Sequence, residues 1–158
     1  DAVSDMEGVA VFNLYELSQE IVFNIDEWSK IISDASAVIY QFPFYWMSAP
    51  SLLKKWQDEV FTFLSKTPAV AGKPLTVVTT TGSEYEAYRS GGRNRFTTDE
   101  LLRPYQVNAI HSGMSWQTPI VVYGMGTADA GKNIAEGANL YKQRVEMLIG
   151  NSNAGNNW

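Results

Sequence analysis

The stretch Gln41-Phe42-Pro43-Phe44-Tyr45-Trp46-Met47-Ser48-Ala49-Pro50, running on through Ser51-Leu52-Leu53-Lys54-Lys55-Trp56, decides how this chain is read. An apolar run over 37–42 stops at Pro43, and three aromatics follow in a segment too short to pack by itself. Pro50 then falls where a first-turn proline belongs, ahead of Leu52, Leu53, Trp56, Val60, Phe61 and Leu64 at helical spacing. The pattern is strand, turn and helix, with flat side chains gathered at the strand's carboxyl end. In open α/β sheets that edge is where ligands bind.

Outward from this unit the same alternation repeats. Residues 1–7 read as the tail of a helix closed by Gly8, and 9–15 as a mostly buried strand. A helix follows over 24–33, capped by Asn24, with Asp26 and Glu27 in its first turn. Residues 66–72 form a loop. The β-branched segment Leu75-Thr76-Val77-Val78-Thr79 is a strand that breaks at Gly82, and 84–95 is a polar surface loop. Thr98-Asp99-Glu100 heads a helix over 101–112 that Pro104 limits in its early turns. Pro119 to Tyr123 forms the last strand, and 129–149 a final helix with Ile134, Leu140, Tyr141, Val145 and Leu148 on its buried face. Residues 151–158 read as a disordered tail. Alternating strands and helices imply an α/β three-layer sandwich, a parallel sheet flanked by helices, in one domain over 1–150.

Composition narrows the function. The chain has 158 residues, 45% of them hydrophobic and 18% charged, as expected of one globular domain. A net charge of −5 without a basic face argues against nucleic-acid binding. With no cysteine and one histidine there is no disulfide, thiolate site or cysteine nucleophile, and no protein-built metal site is expected. No apolar run approaches the ~20 residues of a membrane span, so no membrane insertion is expected, and the lack of thiols fits a cytoplasmic protein. Aromatic content of 13% exceeds ordinary packing needs and points to stacking or an interface.

Two segments should lie side by side at the carboxyl ends of neighbouring strands. Pro43, Phe44, Tyr45, Trp46 and Met47 offer flat faces; Thr80, Thr81, Gly82 and Ser83 offer hydroxyls, backbone N–H groups and a glycine that permits close approach. Together they suit a planar heteroaromatic ring rimmed with carbonyls and ring nitrogens. Trp28, Trp56 and Phe61 are read as core or dimer contacts, His111 as structural, and Arg89, Arg93 and Arg95 as a solvated loop. Gly124-Met125-Gly126 is read as a turn.

Residues 41–61 resemble the signature of flavodoxin-like NAD(P)H:quinone oxidoreductases. That family includes DT-diaphorase, the modulator-of-drug-activity proteins and the ancillary flavoproteins of potassium-efflux systems. Thr80-Thr81-Gly82-Ser83 is similar to its Thr-Thr-Gly-Gly loop, and Phe96 to Tyr105 and Tyr141-Lys142-Gln143-Arg144 are also family-like. The resemblance implies a flavodoxin-like five-stranded parallel sheet, non-covalent FMN or FAD, NAD(P)H as hydride donor, a quinone or similar small acceptor, and a homodimer. It implies cofactor contacts from Pro43, Phe44, Tyr45, Trp46, Met47, Thr80, Thr81, Gly82 and Ser83. Tyr88, six residues past Gly82, matches a tyrosine that in some members stabilises the reduced flavin, and is the candidate catalytic residue.

The chain departs from the family pattern in three places. Asn94 stands where those members have a histidine, so a Tyr–His relay does not carry over. Residues 65–72 are shorter than the family's segment and lack its aromatic-glycine pair. The family's first strand, with its phosphate loop, would precede Asp1. That strand is the buried centre of the sheet, and its five or so apolar side chains at ~1.5–3 kcal/mol each come to roughly 10 kcal/mol. About 20–30 upstream residues are therefore expected in the working protein, the usual length of a strand–helix unit. The alternatives to a flavin-dependent reductase are a regulatory subunit of a potassium-efflux system and a flavin-free remnant with a binding role.

Overall fold

The computed structural model describes residues 2–16 and 22–153. Its centre is a parallel sheet in which β1 (Val38–Pro43) pairs with β2 (Pro74–Thr80), matching Val38 to Leu75 through Pro43 to Thr80. The other edge of β2 is shared by two short strands, β3 (Ser115–Trp116) at its start and β4 (Ile120–Val122) at its end. Six of the seven residues of β2 are buried, as befits a β-branched strand covered on both faces.

Helices cover both faces. On one, α1 (Ile25–Asp34), α2 (Ser51–Trp56) and α5 (Arg103–His111) bring Trp28, Ile32, Leu53, Trp56, Tyr105 and Ala109 against Tyr40, Phe42, Leu75 and Val77. On the other, α6 (Ala130–Asn153) lays Tyr141, Val145 and Leu148 down beside Val78, Ile120 and Val122. Gly137 is the contact point of α6 with β4: a Cβ there would lie 2.3 Å from a Val122 methyl. The sequence places the helix starts well. The Asn24 side chain accepts from the N–H groups of Asp26 and Glu27. Thr97 and Glu100 form a reciprocal capping box at α4 (Thr98–Leu101). The C-terminus of α1 is tied to the sheet by Lys73, whose Nζ donates to the carbonyls of Ile32 and Ser33 at 2.6 and 2.8 Å.

Several expectations change. Residues 9–15 are not a strand: none of the described residues pairs with them, Val11 and Phe12 are 48% and 42% exposed, and Phe12 is held by an edge-to-face contact with Trp28 at 5.3 Å. Described residues 2–7 form turns rather than a helix end. The helix after Pro50 continues from α2 through a π-turn, Gln57–Phe61, into α3 (Thr62–Leu64). The expected helix over 101–112 is two, α4 and α5, separated at Leu102 because Pro104 has no N–H to carry the ladder across. Within 84–95 a 3₁₀ turn, Tyr85–Tyr88, interrupts the loop. The last helix reaches Asn153, so 151–153 are helical where a tail is expected, and the rest of that expected tail, 154–158, lies outside the described residues. Ile134 and Leu140 are exposed; the buried stripe of α6 is Tyr141, Val145 and Leu148. Trp28, Trp56 and Phe61 are core, with Trp28 and Trp56 edge-to-face at 5.3 Å.

Candidate functional site

The aromatic and threonine–glycine segments meet at the carboxyl edge of β1 and β2. Pro43 is in register with Thr80, the Phe44 N–H donates to the Thr80 carbonyl at 2.9 Å, and Thr79 Oγ1 donates to the Phe42 carbonyl at 2.7 Å. The strand ladder therefore fixes the spacing of the two loops.

Beyond Phe44 the chain reverses in a two-residue hairpin. Tyr45 and Ser48 exchange both backbone hydrogen bonds, at 2.9 and 3.0 Å, with Trp46 at φ 47° and Met47 at φ 64° between them. Positive φ at both central positions is the signature of a type I′ turn, which normally takes Asn-Gly. A Trp-Met pair there is strained, and strain of this kind collects at ligand clamps. The hairpin displays rather than packs its side chains: Trp46 is 98% exposed and Tyr45 61%. Behind it the Tyr105 hydroxyl accepts from the Ala49 N–H at 3.1 Å and anchors the base of the turn.

The neighbouring loop is rigid on one side and open on the other. Thr81 is buried, with its N–H donated to the Val122 carbonyl and its Oγ1 to the Ser83 carbonyl, both at 2.9 Å. The strand-end segment after β4 returns the support: Met125, Gly126 and Gly124 donate to the carbonyls of Thr81, Gly82 and Ser83 at 2.9 Å each. Arg93 reaches back to Ser83, its Nη2 donating to Oγ at 2.5 Å. The N–H groups of Gly82, Ser83, Trp46 and Met47 have no acceptor among the described residues. A Cβ on Gly82 would meet nothing within 4 Å, so the space above it is open. Among the described residues the edge thus presents four unpartnered donors from two loops, one of which also carries two exposed aromatic side chains.

Not every proposed contact residue faces that edge. Phe44 is buried and supports the hairpin from below, edge-to-face with Tyr88 at 6.2 Å; Thr81 points inward, and Thr80 spends its carbonyl on Phe44. Tyr88 itself is 6% exposed and lies between Phe44 and Tyr123, the latter at 5.8 Å. It borders a cavity of about 730 Å³ that runs along the outer edge of β4, shared with Tyr85, Arg89, Thr98, Tyr123 and Arg144. In that cavity the Tyr123 hydroxyl is 2.6 Å from Thr98 Oγ1, and burial raises its pKa above the usual phenol value. The sequence does not single out three contributors: Arg93, which is solvated as expected yet also bonds Ser83; the 124–126 turn, which is the platform under the threonine–glycine loop; and Tyr123. The glycines at 124 and 126 were the available signal, since a Cβ at Gly126 would come within 3.0 Å of the Gly82 carbonyl. The described residues hold no cluster of metal-ligating side chains and no helix long and apolar enough to cross a membrane.

A parallel sheet between helix layers, with polar and aromatic loops at its carboxyl edge, is an arrangement the flavodoxin-like fold has, and the model of that family matches residues 2–145. The chain belongs to the flavodoxin-like family. Among its relatives is general stress protein 14 of Bacillus subtilis (strain 168), 33% identical over 151 residues, or 93% of this chain and 86% of the relative. A crystal structure of general stress protein 14 from Treponema denticola, in complex with FMN, superposes with a TM-score of 0.77 at 26% identity, over 85% of this chain and 79% of that one. An NADPH-quinone reductase from P. pentosaceus superposes at 0.66 with 30% identity, over 76% of each chain. This flavodoxin-like chain therefore has relatives of known structure with a bound flavin nucleotide and with a nicotinamide-dependent reductase name.

Proposed function

We propose that the protein is a flavin-dependent NAD(P)H oxidoreductase that binds FMN at the carboxyl edge of β1 and β2 and passes reducing equivalents to a quinone-like acceptor. The observation that carries this reading is the set of four unpartnered N–H groups at Trp46, Met47, Gly82 and Ser83, with exposed rings alongside. Donors left open at a strand end are free to bond a ligand, and the polar rim of an isoalloxazine ring supplies a row of acceptors. The FMN complex of a relative supports the choice of nucleotide, and the reductase relative supports the nicotinamide donor and the quinone acceptor.

The residues fit such a group in named roles. When bound, the flavin would supply two-electron chemistry between nicotinamide and acceptor. Trp46 and Tyr45 would cover the ring and exclude water from it. Pro43 and Met47 would border the same face. The N–H groups of Gly82 and Ser83 would hydrogen-bond its polar rim and favour negative charge there, the logic of a preorganised anion-stabilising site. Phe44, Thr80 and Thr81 act beneath, holding the two loops in register. Tyr88, which lines the β4 cavity and contacts Phe44, would answer charge on the rim as a phenolic donor. A homodimer in the cytoplasm is the assembly and compartment this reading carries.

The test is direct. Purified protein titrated with FMN should quench flavin fluorescence saturably, and the loaded protein should oxidise NADPH in the presence of menadione. Absence of quenching, or quenching unaltered by Trp46→Ala and Gly82→Val together, would remove the flavin reading.

A further inference from the structure

The cavity of about 730 Å³ beside β4 is a different place from the strand-end site. None of residues 43–47 or 80–83 lines it, and Tyr88, which meets Phe44 edge-to-face, is where the two come nearest in the chain's aromatic contacts. Among the described residues β4 pairs only with β2, so its outer edge is open. One wall of the cavity comes from α6 and another from the segment between Tyr85 and Asp99. A space of this size takes a small organic molecule.

The two ends of the cavity differ in chemistry. Near the start of β4, Arg144 of α6 reaches the sheet edge, its Nη1 donating to the Thr118 carbonyl at 2.8 Å. That contact uses one of five guanidinium N–H groups. Among the described residues the others have no acceptor, and no carboxylate lies within ion-pair distance of Arg144. The second arginine of the lining is occupied: the Arg89 guanidinium stands 5.4 Å from the Tyr85 ring centre and 3.8 Å from the Glu86 carboxylate. At the other end, Tyr123 follows the last residue of β4 and meets Tyr85 edge-to-face at 5.3 Å. Between the ends the lining is apolar, from Ile120 and Val121 of β4 to Leu140 and Met147 of α6, the last two exposed. The five strand steps from Thr118 to Tyr123 span about 16 Å.

We infer that this cavity binds an aromatic monocarboxylate, its carboxylate on Arg144 and its flat body along β4 toward the rings of Tyr85 and Tyr123. A planar guanidinium with free N–H groups matches a carboxylate in both geometry and charge. One unpaired cation balances one negative charge, which favours a carboxylate over a doubly charged phosphate monoester. The apolar middle calls for an apolar body, and the two phenol rings at its end favour a flat one through edge-to-face contact. The inference rests on the walls of this cavity and not on the flavin reading.

The test is calorimetric titration of the protein with biphenyl-4-carboxylate, its neutral carboxamide, and decanoate. The aromatic carboxylate should bind at one site and about tenfold more tightly than the carboxamide, with decanoate weaker than the aromatic acid. A preference for the anion in a protein of net charge −5 points to a local cation and not to the overall field. Arg144→Gln should lower carboxylate affinity to that of the carboxamide while leaving carboxamide binding unchanged, which also shows that the variant is folded. Leu140→Trp, a substitution at an exposed position on the cavity wall, should abolish binding of both aromatic probes without lowering Tm. Trp46→Ala should change neither. Absence of saturable binding would overturn the inference, as would an unchanged ratio of carboxylate to carboxamide affinity in Arg144→Gln. Tighter binding of decanoate would overturn it by assigning the cavity to an aliphatic acid, and loss of binding in Trp46→Ala would do so by placing the probe at the strand-end site.

Discussion

Replacing Trp46 with asparagine should make the protein more stable and a poorer flavin binder at once. The side chain is 98% exposed, so its removal forfeits almost no buried area. Its backbone sits at φ 47°, where a bulky L-residue is disfavoured by about 1–2 kcal/mol and asparagine much less so. Asparagine also restores the residue preferred at the first central position of a type I′ hairpin. A net gain of about 0.5–1 kcal/mol follows. For a chain of this size that is a rise in Tm of ~2–4 °C per kcal/mol, readable by thermal or urea unfolding. The ring's contact with a flavin is worth about 0.5–1.5 kcal/mol beyond area burial, so FMN affinity should fall by roughly three- to tenfold. Loss of stability in Trp46→Asn would refute the strain argument, because it would mean that Trp46 packs against the protein. A gain of stability with FMN affinity unchanged would leave the strained turn intact as structure and remove Trp46 from the cofactor site.

Three further outcomes follow from the same structure. Gly137→Ala places a methyl 2.3 Å from a Val122 methyl and should cost about 1–3 kcal/mol by forcing α6 off β4, seen as a lowered urea midpoint with an unchanged slope. Glu100 accepts the Thr97 N–H and hydroxyl, which holds its carboxyl below the ordinary glutamate value. Because the folded-state value is depressed, its contribution is present above the unfolded value and lost as pH falls through the folded one. The stability difference between the wild type and Glu100→Gln should therefore shrink on acidification below the usual carboxylate range, in unfolding curves taken across that window. Tyr88→Phe should leave stability and FMN affinity unchanged while lowering kcat for NADPH oxidation, and an unaltered kcat would return Tyr88 to a packing role between Phe44 and Tyr123.

What the sequence reveals and what it withholds follow from the range of the interactions involved. β1, β2 and the helix after Pro50 are legible because their signals are local: β-branched runs, a proline at a helix start, apolar residues at one spacing. The juxtaposition of 43–47 with 80–83 is legible because parallel neighbours carry their loops to the same edge. The direction of each side chain within those loops is not, since it depends on a turn type that Trp46 and Met47 adopt against their own preference, with Tyr45 and Ser48 closing the hairpin. The support from Met125 and Gly126 is equally invisible, being a contact between segments more than forty residues apart, as the separation from Thr81 and Gly82 shows. Residues 9–15 make the point from the other side. Their composition is that of a strand and their alternation survives, but a strand's hydrogen bonds belong to its neighbour. An amphipathic helix such as α1 closes its ladder within itself and forms wherever its apolar face finds cover. A buried parallel strand has no such independence, so a strand-forming sequence stands unpaired wherever no neighbour offers it a ladder.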